Sequence, residues 1–401
     1  MAYVGTWTDT DNGIIYAWNS TDETNKRARV IGRDPDPIYS STDIIIRDTI
    51  EVNGVTWEVW FVGDFSDDTI IISMILPKFI KKLGTSAFNN AAIQQVNFSQ
   101  ATLLNGVNSS CFANSKIKSI DMTNCPSLKI IGGYTFGSCS ELIKVIMPHV
   151  TTLHETAFSG AVPVEELNLN SMTTMNFAMF SGIIGSSLKI LSLNSVTALP
   201  PDIFNYFTLL EDLSLNSVTA LPPEIFRSFT SLKTISLQMA TAIPHSVFLD
   251  CSALTTVDLS MVTSVGYSAF TNCALTTISL PIATTLGNDV FNGCIALTTI
   301  SLPMATTLGN DVFLNCIALN DLNLNAIPSI TATTLDGIGS SLKIISLNSV
   351  TNLGLDPDTF SNYPALEELS LNSLTSFNFV TLTGGVPTLK KISLNSIINF
   401  G

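Results

Sequence analysis

Apolar residues recur along this chain in a fixed triple: one position, a second three residues on, and a third two after that. The clearest case is Leu275, Ile278 and Leu280 in LTTISLPIATTLGNDVFNGC, followed two residues later by a near-copy, LTTISLPMATTLGNDVFLNC. Triples open at Ile71, Ile93, Ile117, Leu142, Val164, Leu188, Leu210, Leu232, Leu254, Leu275, Leu297, Leu319, Leu342, Leu366 and Leu389, fifteen starts spaced 21 to 25 residues apart. Chance periodicity does not hold its phase over about 320 residues, so the chain is an array whose copies bury their apolar faces against each other. The last two members of each triple sit two apart and point to the same side of a short strand, while the residues around them point outward. A second apolar pair follows, such as Ala283 and Leu286, and then an aromatic anchor. The anchors are Phe88, Phe112, Phe136, Phe158, Phe180, Phe204, Phe226, Phe248, Phe270, Phe291, Phe313 and Phe360, with Leu335 and Leu382 in two late copies. The pattern predicts a repeat solenoid, a right-handed coil of about 15 repeats with a parallel β-sheet face and a stack of Phe rings opposite it.

The first 65 residues lack the triple. Alternating stretches at Gly13 to Trp18, Arg27 to Ile31, Thr42 to Ile46 and Val55 to Phe61 read as strands, and Asn53-Gly54 reads as a type I′ hairpin turn. Residues 1–65 are therefore expected to form a small β-rich N-terminal cap on a solenoid spanning 66–401. All four tryptophans, Trp7, Trp18, Trp57 and Trp60, lie in this segment. They are expected to form the compact core of the cap, the alternative being a sugar-stacking platform.

Composition narrows the partners. An ordinary globular chain of 401 residues would divide into domains, whereas a solenoid grows in one dimension and is expected to form one continuous rod. Only 12% of residues are charged and the net charge is −14, which argues against nucleic acid, since phosphate binding needs a basic stripe, and against an anionic membrane surface. No apolar run reaches the 18 residues or so of a membrane span, so no membrane insertion is expected. The start MAYVGTWTDTDNG has neither the basic head nor the apolar core of an export signal, which was either removed or never needed. The last copy stops before an aromatic anchor, so the expectation there is that the natural chain continues or that a partner, or another copy of the chain, covers the open coil.

Candidate chemistry is sparse. Cys139, Cys251, Cys273, Cys294 and Cys316 each fall three residues after an anchoring Phe, where other copies place Phe207, Phe229 or Tyr363. A slot that also accepts rings reads as core holding a buried free thiol, with stacked disulfides or a metal as the alternatives. Cys111 and Cys125 lie off this register and are the better candidates for an exposed thiol. His154-Glu155-Thr156-Ala157-Phe158 begins like a zinc-protease helix but carries the anchoring Phe where a second His is needed. Asp9-Thr10-Asp11-Asn12-Gly13 resembles a calcium loop without the spacing or the distal Glu, and reads as a turn. No phosphate loop, nucleophile elbow or paired-carboxylate constellation occurs, so no cofactor and no enzymatic activity are expected.

The order of elements resembles the BspA-like leucine-rich repeat surface proteins. In that family a leader like NGKTYTVTSIGDxAF runs into repeats of the form LTSITIPxSVTSIGxxAFxxC. The counterparts here are Val52-Asn53-Gly54-Val55-Thr56-Trp57-Glu58-Val59 and the run from Leu254-Thr255-Thr256-Val257-Asp258-Leu259 through Val262-Thr263-Ser264-Val265-Gly266 to Ala269-Phe270 and Cys273. Copies with Leu-Pro-Pro before Asp202 or Glu224 are closer to extracellular leucine-rich repeats in general. The resemblance implies a non-catalytic module, extracellular or at a cell surface, that binds a host or cell-surface protein or mediates adhesion.

The outward positions of the predicted strand face are the candidate binding surface, with Glu166, Asn168, Asn170, Asp212, Asn216, Asp258, Asp321, Asn325, Glu368 and Asn372 as its leading residues. Fifteen strands at about 4.8 Å spacing would make a sheet about 70 Å long, enough for a protein or a polymer. The face carries almost no Trp, Tyr or Arg, so weak or multivalent contact fits it better than a tight one-to-one site. Irregular copies add a second candidate: Met175, Phe177, Met179, Phe377 and Phe379, expected as an apolar patch if exposed. The alternative reading is a structural rod, a fibre or decoration subunit of a cell envelope or of a virion.

Overall fold

The computed structural model describes residues 5–18, 26–36, 39–160, 162–183, 187–205, 207–351, 353, 359–377 and 386–400. They form a parallel-strand β-solenoid of about 14 turns with almost no helix. The chain packs as two compact units, Met1–Val196 and Thr197–Gly401.

Every one of the fifteen apolar triples carries a three-residue strand, from Ser73–Ile75 to Lys391–Ser393. In each, the middle residue is the second apolar residue of the triple, and in all but Val257 and Ile392 it is buried in the coil, as Leu167 and Leu213 are. Within a unit these face strands pair in parallel and in register, for example Lys144↔Glu166, Val145↔Leu167 and Ile146↔Asn168. Two-residue strands make a second wall: Lys82–Leu83, Gly106–Val107, Ile130–Ile131 and Thr152–Leu153 in the first unit. Ala242–Ile243, Ser264–Val265, Thr285–Leu286 and Thr307–Leu308 are their counterparts in the second.

The third wall is turns around the anchoring Phe. The residues two before and two after it adopt left-handed backbone, as at Ser268 (φ 53°) and Asn272 (φ 59°) around Phe270, and these bends drive the ring inward. Asn and Asp tolerate that conformation better than other non-Gly residues, hence their abundance here. The rings stack at 5.2–6.0 Å from Phe65 to Phe158 in the first unit. They do so again at 5.2–6.2 Å from Phe204 to Phe313 in the second. Phe65, in the leader, is an anchor the periodicity does not reveal, because no triple precedes it.

All seven cysteines are buried and free. The slot after the anchor is more than apolar. Cys139, Cys251, Cys273, Cys294 and Cys316 each donate the thiol to the carbonyl of the anchoring Phe one turn earlier, at 3.0–3.2 Å. Tyr363 does the same from the same slot to Leu335, which replaces the anchor in its turn. A small donor thus satisfies a buried carbonyl that the strand ladders do not reach. Cys111 and Cys125, the candidates for exposure, are buried as well, and burial pushes the Cys125 thiol up to about 12.

The leader supplies β1 (Gly5–Thr8), β2 (Ile14–Trp18), β3 (Arg27–Arg33), β4 (Asp43–Ile45), β5 (Thr49–Val52) and β6 (Val55–Val62). β5 and β6 form the hairpin at Asn53-Gly54, both residues at positive φ (52° and 73°), as a type I′ turn requires. β6 pairs with Lys82–Leu83 and β4 with Ser73–Ile75, so the leader feeds both walls of the coil. Its core is not the tryptophan cluster expected. Trp57 is buried with Tyr16, Val30, Val59 and Val62, whereas Trp7 is exposed and Trp18 and Trp60 are half-buried. The five leader strands of one sheet, β1, β2, β3, β5 and β6, leave a thin interior, which small β-branched residues fill better than four indoles. The Asp9–Gly13 loop is a turn closed by Arg47, whose guanidinium contacts Asp9 at 2.6 and 3.1 Å and Asp11 at 3.1 Å.

Candidate functional site

The face strands present mostly polar residues outward, with Ile at positions such as Ile190 and Ile344, and the structure shows what the polar ones already do. In the first unit Glu166 is paired with Lys144 at 2.8 Å. Asn168 accepts from the amide of Asn170 at 3.2 Å, and Asn170 accepts from the amide of Asn194 one turn on at 3.3 Å. In the second unit Asp212 accepts from the Thr234 hydroxyl, and Asn216 accepts from Ser236 at 2.5 Å. Asn325 accepts from the amide of Asn348, whose own side chain accepts from Asn372 at 2.8 Å. Glu368 is paired with Lys391 at 3.3 Å. Burial pushes the Asp321 carboxyl up. The asparagines after the strands are therefore half-buried and latch one turn to the next, which periodicity alone does not reveal. Asp258 stands apart as exposed, accepting among the described residues only from the Ser260 amide two residues on, at 3.3 Å.

Asp258 lies at a break in the face sheet. Strand Thr256–Asp258 ends one sheet and Thr277–Ser279 begins another. The cause is one missing residue. Regular copies read Cys251-Ser252-Ala253-Leu254 and Cys294-Ile295-Ala296-Leu297, closing a turn in which the Leu amide donates to the Cys carbonyl at 2.9 and 3.1 Å. Cys273-Ala274-Leu275 has no room for that turn, and the strand after it starts out of step. Val257 is half-exposed in consequence, while its counterparts Ile235 and Ile278 are 3% and 5% exposed. A groove of about 460 Å³ opens there, lined by Thr256, Val257, Asp258, Thr277, Ser279 and Pro281 among others. Inserting one Ser between Cys273 and Ala274 is expected to restore the pairing. Hydrogen exchange at Thr277 should then slow to the rate at Thr299, and an unchanged rate would assign the break to another cause.

Beside the groove runs an apolar stripe. Two residues past the end of each triple, four successive turns carry Met239, Met261, Ile282 and Met304, exposed by 49, 45, 40 and 53%. Other turns hold Ser195, Ser217, Ala326 or Ser349 at this register. A stripe of this kind on a polar surface marks a contact site. It was legible in the sequence once this register is followed from copy to copy, because Met and Ile interrupt a column that is otherwise polar apart from Ala326, with Lys78, Gln100, Asn124 and His149 in early copies and Ser in most later ones.

The irregular copies behave differently. Met175 is buried rather than exposed, because its side chain packs inward before the short 3-10 turn Phe177–Phe180, and Met179 is half-buried. Phe377 lies in strand Ser376–Phe377, and Phe379 is outside the described residues. His154 sits in a turn where its ring accepts from the Thr156 amide, so the His-Glu-Thr-Ala-Phe segment is not a helix. No helix among the described residues is long and apolar enough to cross a membrane.

The profile of the family described as "BspA type Leucine rich repeat region" matches residues 64–186, 184–296 and 284–400. Among solved structures, a leucine-rich repeat protein from Bacteroides ovatus is 19% identical, covering 84% of this chain and 99% of its own, with a TM-score of 0.36. The pneumococcal vaccine antigen PcpA is 18% identical over the full length of both chains, with a TM-score of 0.41. A leucine-rich cell surface protein from Faecalibacterium prausnitzii is 18% identical, covering 100% of this chain and 99% of its own, with a TM-score of 0.29. None of the curated proteins compared matches the sequence.

Proposed function

From the premise that the chain belongs to the BspA-type leucine-rich repeat family, we propose that it is a non-catalytic protein-binding module acting outside the cell or at a cell surface. Its repeats at 66–401 present the binding face, and residues 1–65 cap the first turn. The observation that carries this reading is the stripe Met239, Met261, Ile282 and Met304 alongside the groove at Thr256–Asp258. Flexible thioethers pack against varied apolar partners, and neighbouring Thr and Ser hydroxyls supply a polar rim. The occupant it fits is a protein presenting an apolar ridge, held by several modest contacts.

The test is a binding screen of the purified full chain against purified extracellular-matrix and cell-surface proteins. The comparison is the variant Met239→Ser, Met261→Ser, Ile282→Ser and Met304→Ser. Serine is native to this register in other turns, so the fold tolerates it. Each truncation is expected to cost about 1 kcal/mol of binding, and the four together at least tenfold in Kd. A partner held equally by both proteins would refute the assignment of this face.

A further inference from the structure

Most of the 18 lysines and arginines lie within 4 Å of a carboxylate, as Lys144, Lys189 and Lys233 do. One wall of the first unit departs from this. Lys26, Arg27, Arg29, Lys81, Lys82 and Lys129 lie on or next to the second-wall strands β3, β6, Lys82–Leu83 and Ile130–Ile131, and among the described residues none has a carboxylate partner. Glu58, opposite Arg27 in register, makes no ion pair among the described residues. The pairing fixes their spacing. Arg29 pairs with Phe61, Phe61 with Lys82, and Lys82 with Gly106, so Arg29 and Lys82 stand two strands apart, about 10 Å.

The surface between these cations is built. The Arg29 guanidinium lies 5.1 Å from the Trp60 ring and 5.3 Å from Phe61, and that of Arg27 lies 5.6 Å from Trp60. These stacked contacts hold both cations outward without neutralising them. The Lys82 stem runs over Gly106, where an added Cβ would come within 3.3 Å of its Cγ. Beyond it opens a groove of about 600 Å³ lined by Lys82, Thr85, Asn105, Asn108, Ser109 and Ile130 over Gly106 and Gly132.

We infer that this wall binds a linear anionic polysaccharide, one bearing sulfate or uronate groups. Spaced, unpaired cations match charges repeated along a chain, and the Thr, Asn and Ser side chains of the groove match sugar hydroxyls. Three features select this class. The strands from β3 to Ile130–Ile131 are all paired on both sides, so no free edge invites an extended peptide. Trp60 is already engaged by two guanidiniums, so the open base-stacking platforms of single-stranded nucleic acid binding are missing. A net charge of −14 opposes a polyanion as dense as a duplex, while leaving this local field for a sparser one.

The experiment is retention of the full chain on immobilised heparin, hyaluronan and neutral dextran, eluted with salt. Retention on at least one anionic glycan, lost as salt rises, and none on dextran is the expected result. Lys82→Glu with Lys129→Glu, both exposed, should weaken binding at least tenfold. Lys118→Glu with Lys343→Glu, also exposed and with no carboxylate within 4 Å among the described residues but off this wall, makes the same change in net charge and should leave binding within twofold. A second double variant, Arg27→Gln with Arg29→Gln, should weaken it as well, with far-UV circular dichroism confirming the fold. Flow-through on both glycans, equal loss in the Lys118/Lys343 control, or tighter binding to a single-stranded oligonucleotide or to poly-glutamate would each overturn the proposal. The wall is separate from the stripe at Met239–Met304, so either assignment can fail alone.

Discussion

Phe270→Ala is expected to lower the stability of the second unit by about 3–5 kcal/mol, the range for truncating a buried aromatic. The ring is 0% exposed and stacks on Phe248 at 5.2 Å and on Phe291 at 5.6 Å, so its loss leaves a cavity with ring faces on two sides. The stack cannot collapse to fill it, because bonds on the same wall fix the turns: the Phe270 amide donates to Val290, and its carbonyl accepts from the Cys273 amide and the Cys294 thiol. Phe270→Leu should cost less than half as much, since Leu335 fills the same slot in a later turn without loss of the fold. Stability in an array is a sum of copy and nearest-neighbour terms, so the denaturation curve should split into two transitions or shift as a whole. Urea titration followed by circular dichroism distinguishes these outcomes, and a change below about 1 kcal/mol would mean that the ring stack is not what holds the turns together.

Arg47→Ala is the second large effect, expected at about 3 kcal/mol, the lower end for orphaning a buried charge because Arg47 is itself 46% exposed. Asp9 is 1% exposed, and its partners are the Arg47 side chain and the Asp11 amide. Burial raises the Asp9 carboxyl, but the hydrogen bond from Arg47, the Asp11 amide and the attraction of the guanidinium outweigh it, leaving the group below its ordinary 3.8. A carboxyl lowered on folding contributes stability above its unfolded value and loses that contribution as pH falls through the folded one. The pair should therefore stabilise the leader fully above about pH 4 and fade below it. Thermal melts of the wild type and Arg47→Ala should converge on acidification below pH 4, and a gap unchanged at pH 2 would assign the effect to lost packing over Trp7, which the guanidinium also covers at 5.6 Å.

The coil itself was fully legible, because each triple specifies both a strand and its inward face, and fifteen of them in phase leave one way to bury the leucines. Less of the surface was legible. The column Met239, Met261, Ile282 and Met304 requires comparing a single register across copies, and the asparagine latches require knowing that a side chain at Asn170 meets the amide of Asn194. The cationic wall is the extreme case: Arg29, Lys82 and Lys129 are about 50 residues apart in sequence and fall on one wall only when the turns stack. A net charge of −14 suggests that no basic surface exists, and it averages away a local one. The 21-residue spacing at Leu254 to Leu275 was visible, but its result, a half-exposed Val257, depends on hydrogen bonds that the pattern does not contain.

That missing residue has a mechanical consequence. At the break the face strands are unlatched, yet the second wall passes through intact, with Ser264 paired to Thr285, and so does the ring stack from Phe270 to Phe291. A layer fastened along two walls and loose along the third bends about the fastened ones. The second unit thus carries a crease at which the strand face can widen or narrow without any turn unfolding, and a ligand seated there would adjust the curvature of the surface that receives it.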